Sequence, residues 1–261
     1  MTIISEKLNS SIPSSLKLME NGTDEQLKEF ISLQCELGAE YLDLNAAVCA
    51  DEINTAKRIA DLIIENGESG IAIDSPSVST MEQMLEFING RCDVIINSIT
   101  LSERSQNIDL AVKYNAGIIA VLTDSNGIPE TADERVENAD IIISKLRLAG
   151  IPDDKIYIDV IAQSAAVADN AASCALETTR RVREKYPNIH ITCGLSNISF
   201  GLPERKVLNS AFFSAAAVLG MDAPICDITA PSIRRAIAAT GVLLGTDDYC
   251  MEYLEEMRNG Q

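Results

Sequence analysis

Short apolar runs alternate with longer amphipathic stretches eight times over, and this alternation restricts the fold more than any other feature of the 261 residues. The apolar runs fall at Ile3-Ile4, Tyr41 to Asn45, Ile71 to Asp74, Val94 to Asn97, Gly117 to Leu122, Ile156 to Asp159, Ile189 to Gly194 and Ala223 to Asp227. Their shortness predicts strands. Between them the apolar period predicts helices beginning near Asp24 and Glu52, then over 78–89, 103–115, 131–149, 167–185, 204–219 and 231–244. Thr23-Asp24 and Thr131-Ala132-Asp133-Glu134 have the form of helix starts, and Gly150-Ile151-Pro152 that of a stop. Strands and helices in this order make a closed parallel (β/α)8 barrel, the α/β architecture also called a TIM barrel, which takes about 250 residues. The expectation is therefore one barrel domain over 1–261. Asp247 to Arg258 would add a helix that closes the barrel or meets a second subunit.

Composition fits that core. Hydrophobic residues make up 46% of the chain but aromatic ones only 4%, with no Trp, so the interior must be built from Ile, Leu, Val and Ala. Such small branched side chains fill barrel interiors. A net charge of −18 repels nucleic acid and anionic membrane surfaces, and neither is expected as a partner. No run approaches the roughly 18 apolar residues of a membrane span, and Met1 to Ser15 lacks the charged start and apolar run of a signal peptide. The expected location is the cytoplasm. Seven Cys, odd in number and without a CxxC pair, read as reduced thiols. His190-Ile191-Thr192-Cys193 offers two metal ligands where three or four are needed, so no metal is expected.

Barrels of this kind carry their active sites at the C-terminal ends of the strands. Several runs end in polar groups there: Asp43 and Asn45, Asp74, Asn97, Asp159, and the segment Gly194-Leu195-Ser196-Asn197. A buried polar group left without a partner costs on the order of 1–3 kcal/mol. Each residue alone could cap a helix or tie down a loop; their convergence on one mouth favours a site. Carboxylates and amides with almost no fixed positive charge suit a flat neutral heterocycle with an amino-pyrimidinone edge, whose adjacent N–H groups pair with a carboxylate. They suit phosphate poorly. GxGxxG, GxxxxGK[ST] and GxSxG are all missing, and the single His190 lies inside the seventh strand, where it reads as a wall residue.

Gly194-Leu195-Ser196-Asn197-Ile198-Ser199-Phe200-Gly201-Leu202-Pro203 resembles the signature of methyltetrahydrofolate:corrinoid methyltransferases and of the folate domain of cobalamin-dependent methionine synthase. Ile3-Ile4-Ser5-Glu6-Lys7-Leu8-Asn9, Tyr41 to Ala46, Ile73-Asp74-Ser75 and Asn97-Ser98 extend the resemblance over residues 3–245. It implies a pterin-binding barrel, usually a homodimer, that exchanges a methyl group between N5 of tetrahydrofolate and the cobalt of a corrinoid. By matching motif, Asp74, Asn97 and Asp159 would hold the pyrimidine edge and Asn197 would hydrogen-bond near N5. Ser196 and Gly194 would shape that wall, with Asn9 and Asn45 at the floor and rim. Corrinoid-binding modules carry Asp-x-His-x-x-Gly, which this chain lacks, so the corrinoid is expected on a separate protein. Arg205 and Lys206 would meet a folate glutamate tail or remain solvated. Where the family is expected to read Asp-Pro-Leu, this chain has Asp159-Val160-Ile161, which puts the placement of Asp159 and the contacts of Gln163 in question. Rival readings are a dihydropteroate synthase, a non-catalytic pterin- or corrinoid-protein-binding subunit, and a zinc-dependent methyltransferase.

Overall fold

Alternate side chains of a strand point to opposite faces, so a strand in a closed barrel must satisfy an interior and a helix layer at once. The computed structural model, which describes residues 1–259, shows how the eight runs do this. Gly260 and Gln261, the end of the expected 1–261 unit, lie outside the described residues.

The strands are β1 (Ile4–Ser5), β2 (Tyr41–Leu44), β3 (Gly70–Asp74), β4 (Val94–Ile99), β5 (Gly117–Val121), β6 (Ile156–Asp159), β7 (His190–Thr192) and β8 (Ile225–Cys226). All pair in parallel, in the order β7-β6-β5-β4-β3-β2-β1-β8. The ring closes between β7 and β8 through a Gly194–Ile225 bridge and the bonds Ala223 N–H to Ile191 O (3.0 Å) and Ile225 N–H to Cys193 O (3.1 Å).

Helices α1 (Pro13–Asn21), α2 (Asp24–Glu36), α3 (Glu52–Asn66), α4 (Val78–Ile88) and α5 (Gln106–Tyr114) belong to the first half. The second half carries α6 (Ala132–Leu148), α7 (Ala171–Lys185), α8 (Arg205–Val218), α9 (Pro231–Leu244) and α10 (Met251–Asn259). Capping boxes begin α2, between Thr23 and Gln26, and α6, between Thr131 and Glu134, where the sequence marks helix starts. Two helices differ in kind from the sequence expectation, and α5 and α7 start later than expected. α1 is an extra helix in the loop after β1, announced by Pro13 at its first position. α10 packs on α9, with Arg234 paired to Glu256 at 3.2 Å, and takes no part in closing the barrel.

The outward strand residues, among them Leu42, Leu44, Ile71, Ile73, Ile96, Ile118, Ile158 and Ile191, are buried beneath the helices. Inside, Ile4, Ala72, Ile95, Ile119, Tyr157, Ala223 and Ile225 form a separate apolar cluster. The floor of the barrel takes aromatic rings only because glycines face them. A side chain at Gly70 would sit 2.5 Å from the Tyr41 ring, and one at Gly117 3.1 Å from the Tyr157 ring. His190 stacks on Tyr157 with centroids 4.6 Å apart, and its Nδ1 pairs with Asp222 at 3.0 Å. The sole imidazole is therefore a wall residue at the end of the barrel opposite the mouth.

Candidate functional site

Along each strand the inward residues change from apolar to polar as the chain approaches the mouth. Ile4 is followed on that face by Glu6, Tyr41 by Asp43, Ala72 by Asp74, Ile95 by Asn97 and Tyr157 by Asp159. These five polar residues line one cavity of about 310 Å³, together with Asn9, Gly194, Ser196 and Asn197. Of the residues expected to hold or surround the pterin ring, Asn45 stands outside the lining, where it buttresses another: its Nδ2 donates to Asp74 Oδ2 at 2.8 Å, and Arg205 and Lys206 line a neighbouring cavity instead.

Four carboxyls, those of Glu6, Asp43, Asp74 and Asp159, line this cavity, and burial raises each of them. Burial, reinforced by the charge of Asp74, pushes the Asp43 carboxyl well above the usual carboxylate range, against the Asn97 Nδ2 hydrogen bond to its Oδ1 at 3.2 Å. Asp74 is also raised by burial, opposed by the Asn45 bond and by Arg104 from the loop after β4. The pair holds a proton more readily than two separate carboxyls would, so it can present a donor beside its acceptors. Arg104 also supplies a positive charge at the mouth that the strand-end pattern gave no hint of.

Asp159 is raised to about 6 by burial, with the Ile161 N–H, which donates to Oδ1 at 2.7 Å, and the charge of Arg135 pulling the other way. The loop behind it lacks proline and is held by a different device. Arg135 on α6 is fully buried and donates through Nη1 to the carbonyls of Val160 and Ile161, both at 2.8 Å, and through Nη2 to Gln163 Oε1 at 2.9 Å. Ile161 has φ +61°, a left-handed conformation that a β-branched residue adopts only when its surroundings enforce it. The guanidinium thus holds this loop without a proline, and Asp159 lines the cavity.

On the opposite wall Gly194 leaves room that the Asn197 side chain fills: a Cβ at position 194 would lie 2.9 Å from Asn197 Nδ2. Asn197 is exposed to the cavity, and no hydrogen bond among the described residues holds its side-chain amide. Ser196 Oγ donates to Glu6 Oε2 at 3.1 Å, and burial lifts Glu6 to about 7. Arg205 donates through Nη2 to Ser196 O at 2.7 Å and through Nε to Ser199 Oγ at 3.0 Å, so it braces this segment from behind.

The chain matches the family of pterin binding enzymes over residues 10–227. It belongs to that family. Within it, the chain is 30% identical over its whole length to the methylcorrinoid:tetrahydrofolate methyltransferase of Eubacterium limosum, covering 97% of that protein. It is 29% identical over 203 residues to methionine synthase of Mycobacterium tuberculosis, a match that spans 72% of this chain and 17% of the longer protein. Solved dihydropteroate synthases share the fold: that of Vibrio fischeri superposes with TM-score 0.72 at 15% identity, over 94% of this chain and 93% of its own. That of Xanthomonas albilineans, in complex with 7,8-dihydropteroate, gives 0.69 at 15% identity over 93% and 94%.

In this pterin-binding family member the cavity also takes in Glu6, which the strand-end pattern did not mark, and Asp43, which that pattern placed at the mouth without a role in holding the pterin. Both share the inward parity of the other lining residues. Glu6 follows Ile4, and Asp43 follows Tyr41, at the two-residue spacing that relates Ala72 to Asp74. Among the described residues, no group of three or more His, Cys, Asp or Glu is placed to hold a metal ion. No described helix is long and apolar enough to cross a membrane.

Proposed function

We propose that this chain exchanges a methyl group between N5 of tetrahydrofolate and the cobalt of a corrinoid carried by a separate protein. The direction proposed is from methylcorrinoid to tetrahydrofolate, as in the name of the Eubacterium limosum relative. The observation that carries this reading is the ring of carboxyls and amides, Asp43, Asp74, Asn97, Asp159 and Asn197, around one cavity. In a chain matched end to end by a folate–corrinoid methyltransferase, that ring is complementary to a pterin.

The pterin's pyrimidine N–H groups are assigned to the carboxylate oxygens of Asp74 and Asp159, with Asn97 supplying an amide that can both donate and accept. Asn45 and Arg135 fix these acceptors from outside the cavity, which lowers the ordering cost at binding. Asn197 is assigned to N5. Its amide follows the change in charge on that nitrogen by strengthening or weakening one hydrogen bond, and being a very weak acid it does not transfer the proton itself. The corrinoid-bearing protein docks over the mouth, and a second copy of this chain completes a homodimer elsewhere on the surface.

The test is an anoxic stopped-flow experiment following the visible spectrum of the corrinoid. One mixture holds the protein, methyltetrahydrofolate and cob(I)alamin; the other holds tetrahydrofolate and methylcobalamin. Protein-dependent interconversion of the cob(I) and methyl-cob(III) spectra is expected. If neither mixture reacts, with free cobalamin or with a corrinoid protein, and calorimetry detects no pterin binding, the proposal is wrong.

A further inference from the structure

Glu6 lines two cavities. It shares the first with Asn197 and the Asp–Asn ring, and the second, of about 180 Å³, lies between the loops after β7 and β8 beside Arg205, Lys206, Asn209 and Asp227. Ser196 also lines both, so the wall between them carries a hydroxyl donating to a carboxyl at 3.1 Å. The second cavity carries polar side chains among its apolar lining and has room for water, which needs about 10–15 Å³ of such space and two or more polar partners. Two of its side chains supply partners: Asn209 Oδ1 and Ser232 Oγ are buried with no hydrogen bond among the described residues.

Methyl exchange at N5 moves a proton as well as a methyl group. N5 carries no hydrogen while methylated and one hydrogen afterwards, and the Asn197 amide cannot be its source. We propose that Glu6 gives N5 this proton when the methyl group leaves and takes it when the methyl group arrives, exchanging it with solvent through the second cavity while the pterin fills the first. This rests on the reading of the site as one for folate–corrinoid methyl transfer.

The step balances in both directions. As methyl leaves, the cobalt(I) electron pair forms the new bond to carbon, the N–C pair stays on N5, the Glu6 proton binds that pair, and Glu6 remains as carboxylate. In reverse, the N5 pair takes the methyl group, the cobalt–carbon pair returns to cobalt, and the N5 proton passes to Glu6.

The surroundings keep Glu6 ready for either role. Burial is the main cause that raises it to about 7, and the negative charge of Asp227 at the end of β8 adds to this. Ser196, Lys7 and Arg205 favour its carboxylate. Asp43 faces it across the first cavity, the buried thiol of Cys226 lies on the neighbouring strand β8, and that of Cys193 just beyond β7. A proton carrier works best near the operating pH, where both of its forms are populated.

The experiment follows single-turnover transfer at saturating pterin, in both directions, across roughly pH 5.5 to 8.5. In the wild-type protein, methyl departure from N5 slows as pH rises through the range in which Glu6 of the pterin complex loses its proton, while methyl delivery speeds up, each with a single midpoint. Glu6→Gln lowers both by roughly 10²- to 10⁴-fold and removes the inflection. Because the chain has no Trp, pterin affinity is read by calorimetry, and it stays within about threefold of wild type, less than the loss of one hydrogen bond. Ser196→Ala removes a donor to the carboxylate and moves the midpoint to higher pH. A Glu6→Gln protein with the wild-type rate and profile overturns the proposal, as does one whose loss lies wholly in pterin affinity. Should Glu6→Gln fail to fold, an unmoved midpoint in Ser196→Ala overturns it. A wild-type protein that neither binds pterin nor transfers methyl overturns the functional reading instead.

Discussion

Asn45 Nδ2 meets Asp74 Oδ2 at 2.8 Å, and this contact sets the direction in which the Asp74 carboxylate faces the cavity. Asn45 follows β2 and Asp74 ends β3, so the bond ties neighbouring strands together at the mouth. Asn45→Ala frees the carboxylate without removing it. Tetrahydrofolate affinity should fall about 3- to 10-fold, the worth of one positioning hydrogen bond, whereas Asp74→Asn should cost more than tenfold. Calorimetric titration orders the two variants, and equal losses would show that Asn45 does something other than aim Asp74.

Removing the Asn197 amide, proposed to lie at N5, should act on rate more than on binding. Asn197→Ala is expected to slow methyl transfer by roughly 10- to 10³-fold, as for one transition-state hydrogen bond, with pterin affinity less affected. Gly194→Ala provides an independent check, because its new methyl would stand 2.9 Å from Asn197 Nδ2 and displace the amide without deleting it. Its rate should fall between wild type and Asn197→Ala. Wild-type transfer in Asn197→Ala would remove the residue from the mechanism.

Arg135 offers a stability test. Replacing it with Met keeps most of the volume but strips donors from the carbonyls of Pro129, Val160 and Ile161 and from Gln163. Urea unfolding should show a loss of about 2–4 kcal/mol, since buried acceptors left unpaired cost about 1–3 kcal/mol each and water recovers part. Pterin affinity should drop as well, because Asp159 depends on the loop that Arg135 holds. An unchanged urea midpoint would mean that the loop keeps its shape unaided.

The buried carboxyls make a prediction about pH and stability. Glu6 and Asp159 are raised by burial to about 7 and about 6, so the folded state binds more protons than the unfolded chain between those values and the ordinary carboxylate range. Stability of the ligand-free protein should therefore increase as pH falls from about 8 toward 5, the window set by these two groups, and their contribution is lost as pH rises through the folded values. Relief of the −18 net charge acts in the same sense, so the control is the double variant Glu6→Gln/Asp159→Asn. It should flatten the slope of urea midpoint against pH; an unchanged slope would assign the effect to net charge and the Asp43–Asp74 pair instead.

The barrel is legible in the sequence because strand and helix periods differ and the two alternate strictly. The polar strand ends were visible for the same reason, since a carboxylate at the end of Ile71-Ala72-Ile73 stands out against its neighbours. Glu6 is harder to see because β1 has two residues, too few to display a period. α1 lies in a loop whose only marked helix signal is Pro13. The onset of α5 at Gln106 follows a left-handed turn at Arg104, and α7 starts at Ala171, both later than the apolar pattern suggests. The Arg135 brace could not be read at all: it joins residues about 25 apart through backbone carbonyls, which carry no side-chain signature.

β1, β7 and β8 contain two, three and two residues, whereas β3, β4 and β5 contain five, six and five. Asp74 and Asn97 sit on the long strands, and Glu6, Ser196 and Asn197 on the loops that follow the short ones. Amide hydrogens along the β7–β8–β1 seam should exchange with solvent sooner than those of β3 to β5, because fewer ladder bonds must open together. On that expectation the residues proposed to hold the heterocycle stand on the stiffer half of the barrel, and those proposed to act at N5 on a half able to shift by small amounts as a bond is made on one side of a nitrogen and broken on the other.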